Sequence, residues 1–232
     1  MRACSNKYVA VQFDNSQKKS SNELSLRTGE GVVIDVGTGD GRFVSAAARA
    51  NPDKFYVGID ANTRALEKIS MRATRKPAKG GLPNAMFIQA AVEDLPDELD
   101  GVADEIHIHF PWGSLLKGVA TGDADVVAAL RRIAAPECIL EIVIGIDPER
   151  DRNELERLGI PELTPVIIHS FLIPKYTVAG FELLEHNCLD ASQWSKLETS
   201  WARKLQGNEG RKVTYLVFKT PHRSGKLGAG HN

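Results

Sequence analysis

Short apolar runs alternate with amphipathic segments through the first two thirds of the chain. Five runs rich in apolar, often β-branched residues predict buried strands at 32–36, 55–60, 85–90, 105–110 and 139–144. Between them, helical spacing and capping signals predict helices at about 42–50, 63–74 and 123–135. This regular alternation favours a mainly parallel sheet whose crossover connections are right-handed.

The pattern becomes less regular after the fifth strand. Residues 147–165 are charged and contain three prolines, so we interpret them as an inserted lid or docking segment. An apolar run at 166–171 and a short helix at 174–179 precede a sixth strand at 181–189, a helix at 190–205 and a seventh strand at 212–218. We predict a β-hairpin in an N-terminal extension at 1–28, one domain at 29–220 and a flexible tail at 221–232.

The composition says more about the cellular compartment of the protein than about its binding partners. The chain has 232 residues, of which 42% are hydrophobic and 25% are charged, and its formal net charge is −1. Affinity for a nucleic acid must therefore come from local clusters of cations. No apolar run approaches the roughly 20 residues that a membrane helix needs. The three cysteines are scattered, which predicts a reducing, cytoplasmic setting without a disulfide framework.

The first strand ends in an acid and a glycine-rich turn, Asp35-Val-Gly-Thr-Gly-Asp-Gly41, which contains Gly37 and Gly39. Glycines at alternate positions let the backbone pass close to a ligand, and the helix that follows points free N–H groups toward it. Ligands of doubly wound sheets bind at this edge, beside the carboxyl ends of the strands. A strand-to-helix turn without a ligand has the same pattern, so the turn alone leaves both interpretations open.

Two further strands lead into acids on the same predicted edge. Asp60 closes the second strand, where a carboxylate binds ribose hydroxyls in nucleotide-binding folds, and Ala91 and Glu93 follow the third strand. Each acid alone is more often a helix cap or a turn residue. Together with Asp35 they bracket a pocket of adenosine size. The Gly-x-Gly-x-Gly spacing followed by a second acid resembles the S-adenosylmethionine site of class I methyltransferases.

The order of the elements resembles the same class. We therefore expect an α/β protein with the class I, Rossmann-like S-adenosylmethionine-dependent methyltransferase fold and a seven-stranded, mainly parallel sheet. In that fold the last two strands usually form an antiparallel hairpin at the edge of the sheet. The helix predicted at 190–205 would be an insertion between them that reaches back over the site.

A basic run follows the second strand. Spacings of four, three and four residues place most of its cations on one helical side, opposite apolar residues that can face the sheet. The cations are Lys68, Arg72, Arg75, Lys76 and Lys79, and the apolar residues are Leu66, Ile69 and Ala73. A solvated helix face is the plain alternative. Further cations near the C-terminus, at Arg203, Lys204 and Arg211, favour docking on RNA phosphates.

Aromatic residues provide the candidates for contact with a methyl acceptor. Trp112 lies between Pro111 and Gly113 after the fourth strand, where amino-methylating class I enzymes carry a proline–aromatic motif that faces the methyl group. It could stack on a base, with Trp201 on the opposite face. Core packing is the alternative for each tryptophan and the preferred interpretation of Trp194.

Two histidines, His107 and His109, alternate on one face of the fourth strand. Histidines are common metal ligands, but the sequence offers no third or fourth ligand beside this pair. We therefore interpret them as core or supporting residues and predict no metal site.

Four segments resemble the aminoglycoside-resistance 16S rRNA methyltransferases of the kanamycin–apramycin type. The resemblance spans about residues 30 to 218 and is most specific in the loop at 76–84 and in the Phe-Pro-Trp-Gly motif. The segments are Asp35-Val-Gly-Thr-Gly-Asp-Gly41, Lys76-Pro-Ala-Lys-Gly-Gly-Leu-Pro-Asn84, Phe110-Pro-Trp-Gly-Ser-Leu-Leu116 and Thr199-Ser-Trp-Ala-Arg-Lys-Leu205.

The resemblance implies methyl transfer from S-adenosylmethionine to N1 of a decoding-site adenine, adenine 1408 of 16S rRNA in the 30S subunit, and hence aminoglycoside resistance. It implies that Asp35, Gly37 and Asp60 hold the cofactor, with Glu93 near its adenine and with Ser114 and Thr199 lining the pocket. Trp112 and Trp201 would enclose the flipped adenine. The cations listed above would contact rRNA, with Arg211 as the nearest match to an arginine that holds the nucleotide. We expect a monomer without DNA or membrane partners.

Two other classes remain open at this point. One is a methyltransferase of the same fold that acts on tRNA or on a small molecule. The other is a non-catalytic RNA-binding relative, which would not bind the cofactor.

Overall fold

The computed structural model describes residues 31–194, 199 and 213–222. The predicted hairpin at 1–28, most of the tail, and Trp201, Arg203, Lys204 and Arg211 lie outside these residues. Seven strands form one sheet, in the spatial order β3-β2-β1-β4-β5-β7-β6. The strands are β1 (Val32–Val36), β2 (Phe55–Asp60), β3 (Ala85–Gln89), β4 (Ala103–His109), β5 (Ala134–Ile144), β6 (Glu182–Leu189) and β7 (Val213–Lys219).

The first five strands are parallel, and β7 runs antiparallel to both of its neighbours, β5 and β6. This arrangement confirms the expected mainly parallel sheet and the antiparallel pairing of the last two strands. Among the described strands, the last one lies between β5 and β6, which leaves β6 at the edge.

Eight α-helical segments accompany the sheet in the described residues: α1 (Arg42–Ala50), α2 (Thr63–Ala73), α3 (Gly113–Thr121), α4 (Ala124–Ile133), α5 (Arg152–Leu158), α6 (Pro165–Ile167), α7 (Ile173–Val178) and α8 (Ala191–Trp194). A five-residue π-helical segment, Ile168–Leu172, joins α6 to α7. Asn62 caps α2, because its side-chain oxygen accepts a hydrogen bond from the backbone N–H of Arg64 at 3.1 Å. None of the helices in this part of the chain is long and apolar enough to cross a membrane.

Alternate residues of the central strands enter different cores. Val33 faces the core that α1 and α2 cover, whereas Val32 and Ile34 face the core on the opposite side of the sheet. Asp35 follows the same alternation. It therefore lies on the α1 side, at the edge where the glycine turn leaves the sheet.

The structure corrects several predicted boundaries. The sequence interpretation missed α3, and the apolar run at 166–171 is helical. Strand β5 begins at Ala134, so the preceding helix ends two residues earlier than expected. Strand β4 ends at His109, which leaves Phe110 outside the strand with a φ of +49°. Of the helix predicted at 190–205, only Ala191–Trp194 falls within the described helical residues.

Candidate active site

The glycine turn joins β1 to α1 and is fastened to β2. The backbone N–H groups of Gly37 and Thr38 both donate to the carbonyl oxygen of Ile59, at 2.8 and 2.9 Å. Gly37, Gly39 and Gly41 have φ values of +81°, +58° and +68°. Only glycine adopts such angles without strain, so the turn has its shape because of these three residues.

The glycines of this turn serve different purposes. A Cβ atom on Gly41 would lie 2.6 Å from the ring of Phe87, so Gly41 allows α1 to pack closely against the sheet. A Cβ atom on Gly39 would meet nothing within 4 Å, so that position opens onto free space. The expectation that the glycines admit a ligand therefore fits Gly39, and packing explains Gly41.

Asp60 is held in place by two backbone N–H groups. Its Oδ2 accepts from Gly39 and its Oδ1 accepts from Asn62, both at 2.8 Å. Each carboxylate oxygen keeps a second acceptor position. Asp60 is therefore fixed at the end of β2 and still able to accept hydrogen bonds from ribose hydroxyls.

Asp35 is almost fully buried at the end of β1. Burial raises the pKa of its carboxyl group, while His109 and His107 nearby act in the opposite direction. A buried carboxylate at a pocket wall favours a ligand that carries a positive charge.

One cavity of about 330 Å³ lies at the carboxyl ends of β1, β2, β3 and β4. It contains every residue that the sequence predicts for the cofactor, brought together from five separate stretches of chain. These residues are Asp35, Gly37, Gly39, Asp60, Ala91, Glu93, Ser114 and Thr199. The mixture of carboxylates, glycine backbone and apolar wall is typical of a site for a nucleoside with a polar tail.

The sequence interpretation missed several residues of the cavity wall. Phe43 of α1, Ile59 of β2 and Leu115 of α3 also line it, as does His109. The first three are ordinary apolar residues of the predicted elements. In the sequence, Phe43 follows the glycine turn, Ile59 precedes Asp60 and Leu115 follows Ser114. This adjacency to predicted site residues is the sequence signal that could have identified them.

Trp112 stands at the mouth of the same cavity. Its side chain is 42% exposed, whereas Pro111 before it is buried. The backbone of Phe110 has a φ of +49°, which is strained for a bulky residue, and its N–H donates to the carbonyl of Val143 at 2.8 Å. Trp194 is 1% exposed and packs edge-on against Phe110, which confirms the core interpretation of Trp194.

The two histidines of β4 meet a carboxylate of the neighbouring strand. Glu141 lies beside His107 in the pairing of β4 with β5. Its Oε1 is 3.2 Å from Nδ1 of His107 and 2.6 Å from Nε2 of His109. Although this group has the composition of a metal site, these distances are those of direct hydrogen bonds. We therefore describe it as a hydrogen-bonded cluster. Glu141 is a third potential ligand that the sequence did not indicate, and the supporting role of the two histidines stays a prediction.

The basic residues after β2 lie on an exposed surface. Lys68 and Arg72 belong to α2, whose apolar side is buried as predicted through Leu66, Ile69 and Ala73. The helix ends at Ala73, close to the predicted end, so only Lys68 and Arg72 share a helical side. Instead, Arg75 and Lys76 lie in the following turn, and Lys79 ends a 3₁₀ turn at Pro77–Lys79.

This basic surface is compact. The N–H groups of Lys79 and Gly81 donate to the carbonyl of Lys76 at 2.7 and 3.2 Å, and a Cβ atom on Gly81 would lie 1.6 Å from the carbonyl oxygen of Arg75. Within the described residues, none of the five cations of this run forms an ion pair. Their charges are therefore available to an anionic partner.

Comparison with known proteins identifies the family of this chain. A family profile described as "NpmA: 16S rRNA (adenine(1408)-N(1))-methyltransferase" matches residues 12–220.

The chain belongs to the 16S rRNA (adenine(1408)-N(1))-methyltransferase family.

Individual relatives agree with the profile. A 16S rRNA (adenine(1408)-N(1))-methyltransferase from Streptoalloteichus tenebrarius is 38% identical over 181 residues, which cover 78% of this chain and 82% of the relative. The crystal structure of the aminoglycoside-resistance methyltransferase NpmB1 has a TM-score of 0.75 at 46% identity, covering 84% of this chain and 89% of that one.

A third relative bears on the cofactor. The structure of a tryptophan-to-alanine variant of the 16S rRNA (adenine(1408)-N(1))-methyltransferase from Catenulisporales acidiphilia, with the cosubstrate S-adenosylmethionine, has a TM-score of 0.78 at 35% identity. It covers 88% of this chain and 91% of that one. Membership of the 16S rRNA (adenine(1408)-N(1))-methyltransferase family confirms the expected class I fold, the methyltransferase activity and S-adenosylmethionine as the cofactor.

Proposed function

We propose that this protein transfers a methyl group from S-adenosylmethionine to N1 of adenine 1408 in 16S rRNA of the 30S subunit. The observation that supports this acceptor best is Trp112, an exposed aromatic side chain at the mouth of the cofactor cavity, within the wall it shares with Ser114. A base turned out of the rRNA could stack there, next to the methyl donor.

The residues of the cavity fit the cofactor on chemical grounds. Asp60 is fixed by two backbone N–H groups and retains acceptor positions for ribose hydroxyls. Asp35 supplies a buried carboxylate that suits the ammonium group of the methionine part. Glu93, on the turn after β3, is placed to contact the adenine. When bound, S-adenosylmethionine supplies an activated methyl group on its sulfonium and leaves as S-adenosylhomocysteine.

The protein needs no general base for this reaction. Adenine N1 has a free lone pair, so it forms the new N–C bond directly while the S–C bond breaks, and the ring gains one positive charge without losing a proton. The chain then contributes by holding donor and acceptor in line, an effect that can account for several kcal/mol of the barrier. Trp112 and Ser114, which line the same cavity, would do this beside the donor.

The five cations on α2 and the following turn would dock on rRNA phosphates. They are exposed and unpaired within the described segments, as a phosphate-binding surface requires. Arg203, Lys204 and Arg211 are proposed to extend this surface, and Trp201 to cover the second face of the adenine. We further propose that the protein acts as a monomer with one domain at 29–220, in the cytoplasm, where ribosomes are found.

The test is primer extension on 30S subunits treated with the protein and S-adenosylmethionine. We expect a stop at adenine 1408, and Trp112→Ala should slow methylation about 10- to 100-fold because a stacking contact worth roughly 1–3 kcal/mol is lost. Cofactor affinity measured by calorimetry should stay within about threefold, since Trp112 is at the cavity mouth. Trp112→Phe keeps an aromatic ring and should retain much of the rate.

The outcomes separate the alternatives. Methylation of tRNA or of a small molecule in place of 30S subunits would overturn the proposed acceptor. Cofactor binding that disappears in Trp112→Ala would make this tryptophan structural. Absence of cofactor binding in the unaltered protein would favour the non-catalytic RNA-binding class.

Methylated adenine 1408 would carry extra bulk and a positive charge at the place where decoding-site aminoglycosides bind. We therefore propose that the protein confers resistance to such drugs. Expression in a sensitive host should raise the inhibitory drug concentration, and Trp112→Ala expressed at the same level should not. Equal sensitivity of cells with and without the unaltered protein would contradict resistance.

A further inference from the structure

Glu141 joins three strands under the cofactor cavity. It lies on β5, and its Oε1 accepts hydrogen bonds from both histidines of β4. Its Oε2 accepts from the hydroxyl of Tyr215 on β7 at 2.9 Å. One carboxylate thus receives three donors from two neighbouring strands, and its side chain is only 20% exposed.

The cluster includes a buried cation. His107 has both ring nitrogens 3.2 Å from carboxylate oxygens, Nδ1 from Glu141 and Nε2 from Glu105. A carboxylate only accepts hydrogen bonds, so both nitrogens must donate and the ring must be an imidazolium. Lys54 binds the other oxygen of Glu105 at 2.6 Å. The charges of the cluster are thereby balanced within the protein.

His109 connects this cluster to the acceptor side of the cavity. Its side chain is 3% exposed, its ring contacts Phe43 of α1 edge-on at 4.7 Å, and both residues line the cavity. His109 is followed directly by Phe110, whose φ is +49°, and then by Pro111 and Trp112. A strained backbone persists only where its surroundings hold it. Glu141 fixes the residue immediately before the strained one.

We propose that Glu141 is a positioning residue for methyl transfer, which holds His109 and thereby the backbone that presents Trp112 to the acceptor base. Tyr215 supports it from β7. This inference rests on the proposed function, in which Trp112 contacts the adenine. It adds a requirement for Glu141 and Tyr215, two residues of β5 and β7 that do not line the cavity.

The decisive variant is Glu141→Gln, which keeps the shape of the side chain. A glutamine oxygen can still accept from both histidines, and its NH₂ group can donate to the hydroxyl oxygen of Tyr215, but the negative charge that pairs with the His107 imidazolium is lost. His107 and His109, which share that oxygen, are then held less firmly. Because misplacement by about 1 Å can cost two orders of magnitude in rate, we expect kcat for 30S methylation to fall about 10- to 100-fold. The affinity for S-adenosylmethionine should change less than about threefold.

A pH profile separates positioning from a merely structural effect. The titratable groups around His107 are Asp35, Glu105, His109 and Glu141. Lys54 lies behind Glu105, and Tyr215 of β7 lies behind Glu141. Loss of the Glu141 charge removes one of the two carboxylates that hold the imidazolium. The alkaline decline of kcat should therefore begin at least one pH unit lower in Glu141→Gln than in the unaltered protein.

Two further variants complete the test. Tyr215→Phe removes one of the three donors and should lower kcat about threefold, and Glu137→Gln, a surface change on the same strand, should leave kcat unaltered. Folded Glu141→Gln with unaltered kcat and an unaltered pH profile would overturn the inference. If Glu141→Gln fails to fold, unaltered kcat in Tyr215→Phe overturns it instead. Failure of the unaltered protein to methylate 30S subunits would refute the proposed function itself, a different result.

Discussion

Single atoms decide the shape of the turn between β1 and α1. Gly39 and Gly41 are two residues apart, and both have a positive φ, yet only Gly41 is packed against a side chain. Gly39 lines the cavity and its N–H donates to Asp60, whereas Gly41 is not part of the cavity wall. Their substitution should therefore have different consequences.

We expect Gly39→Ala to cost about 1 kcal/mol of unfolding free energy, since an alanine at positive φ is strained but meets no neighbour. Gly41→Ala should cost about 2–4 kcal/mol, because its Cβ would also overlap the ring of Phe87. Urea denaturation of both variants measures the difference. Calorimetry should give the opposite ranking for the cofactor. Its affinity should fall more in folded Gly39→Ala than in folded Gly41→Ala. Equal unfolding free energies would contradict the separate roles.

A site residue could be predicted from the sequence when its position at the end of a strand was enough to place it in the site. Asp35, Asp60 and Glu93 each follow an apolar strand, and parallel strands bring their carboxyl ends together without further information. Glu141 was not identified, because its contact with His107 and His109 depends on the register of β4 against β5. Glu141 is 34 residues from His107 in the chain, and the hydrophobic periodicity of two strands does not predict which of their residues pair.

At the scale of elements, α2 combines a buried apolar side with an exposed basic side. Its cations and those of the next turn have no acidic partner among the described residues. Lys219, the cation of β7, is different. It binds Glu137 at 2.7 Å.

Salt dependence distinguishes the two kinds of cation. Each phosphate contact adds roughly 0.7–0.9 to the slope of log affinity against log salt concentration. We expect Arg72→Gln to weaken binding to 30S subunits and to lower that slope by about this amount. Lys219→Gln should leave the slope unchanged, because Glu137 already neutralises that cation. Equal slopes in all three proteins would remove Arg72 from the docking surface.

Helix α3 shows why some elements escape prediction. Its sequence, Gly113–Thr121, contains two glycines, which disfavour helix on intrinsic grounds. The structure gives a reason for one of them, since a Cβ on Gly118 would lie 2.6 Å from Val126 of α4. Close packing of two helices selects glycine here, and the tertiary contact outweighs the local preference.

At the scale of the whole molecule, the cluster around Glu141 makes stability depend on pH. Burial alone would lower the pKa of His107, but hydrogen bonds to Glu105 and Glu141 outweigh it and raise the pKa to about 9. The hydrogen bond to His107 is the main cause that lowers the pKa of Glu105, to about 2. The folded protein therefore holds a proton on His107 that the unfolded chain releases near pH 6.5.

The sign of the effect follows from the raised pKa. The contribution of His107 is complete below about pH 6.5 and is lost as the pH rises through about 9. We expect the free energy of unfolding to fall by roughly 1–3 kcal/mol across this window. Urea titrations at several pH values measure it, and His107→Gln should flatten the curve there. A free energy that rises between these pH values would contradict the imidazolium.

The position of β7 in the sheet has a consequence for biosynthesis. Of the seven described strands this one leaves the ribosome last, yet it fills the gap between β5 and β6. Until residues Val213–Lys219 emerge, β5 has an open edge and β6 has no partner in the described sheet. Such edges are prone to pair with other chains. A nascent polypeptide arrested before Val213 should therefore be captured by chaperones or aggregate, whereas a polypeptide arrested well beyond Lys219 can close the sheet.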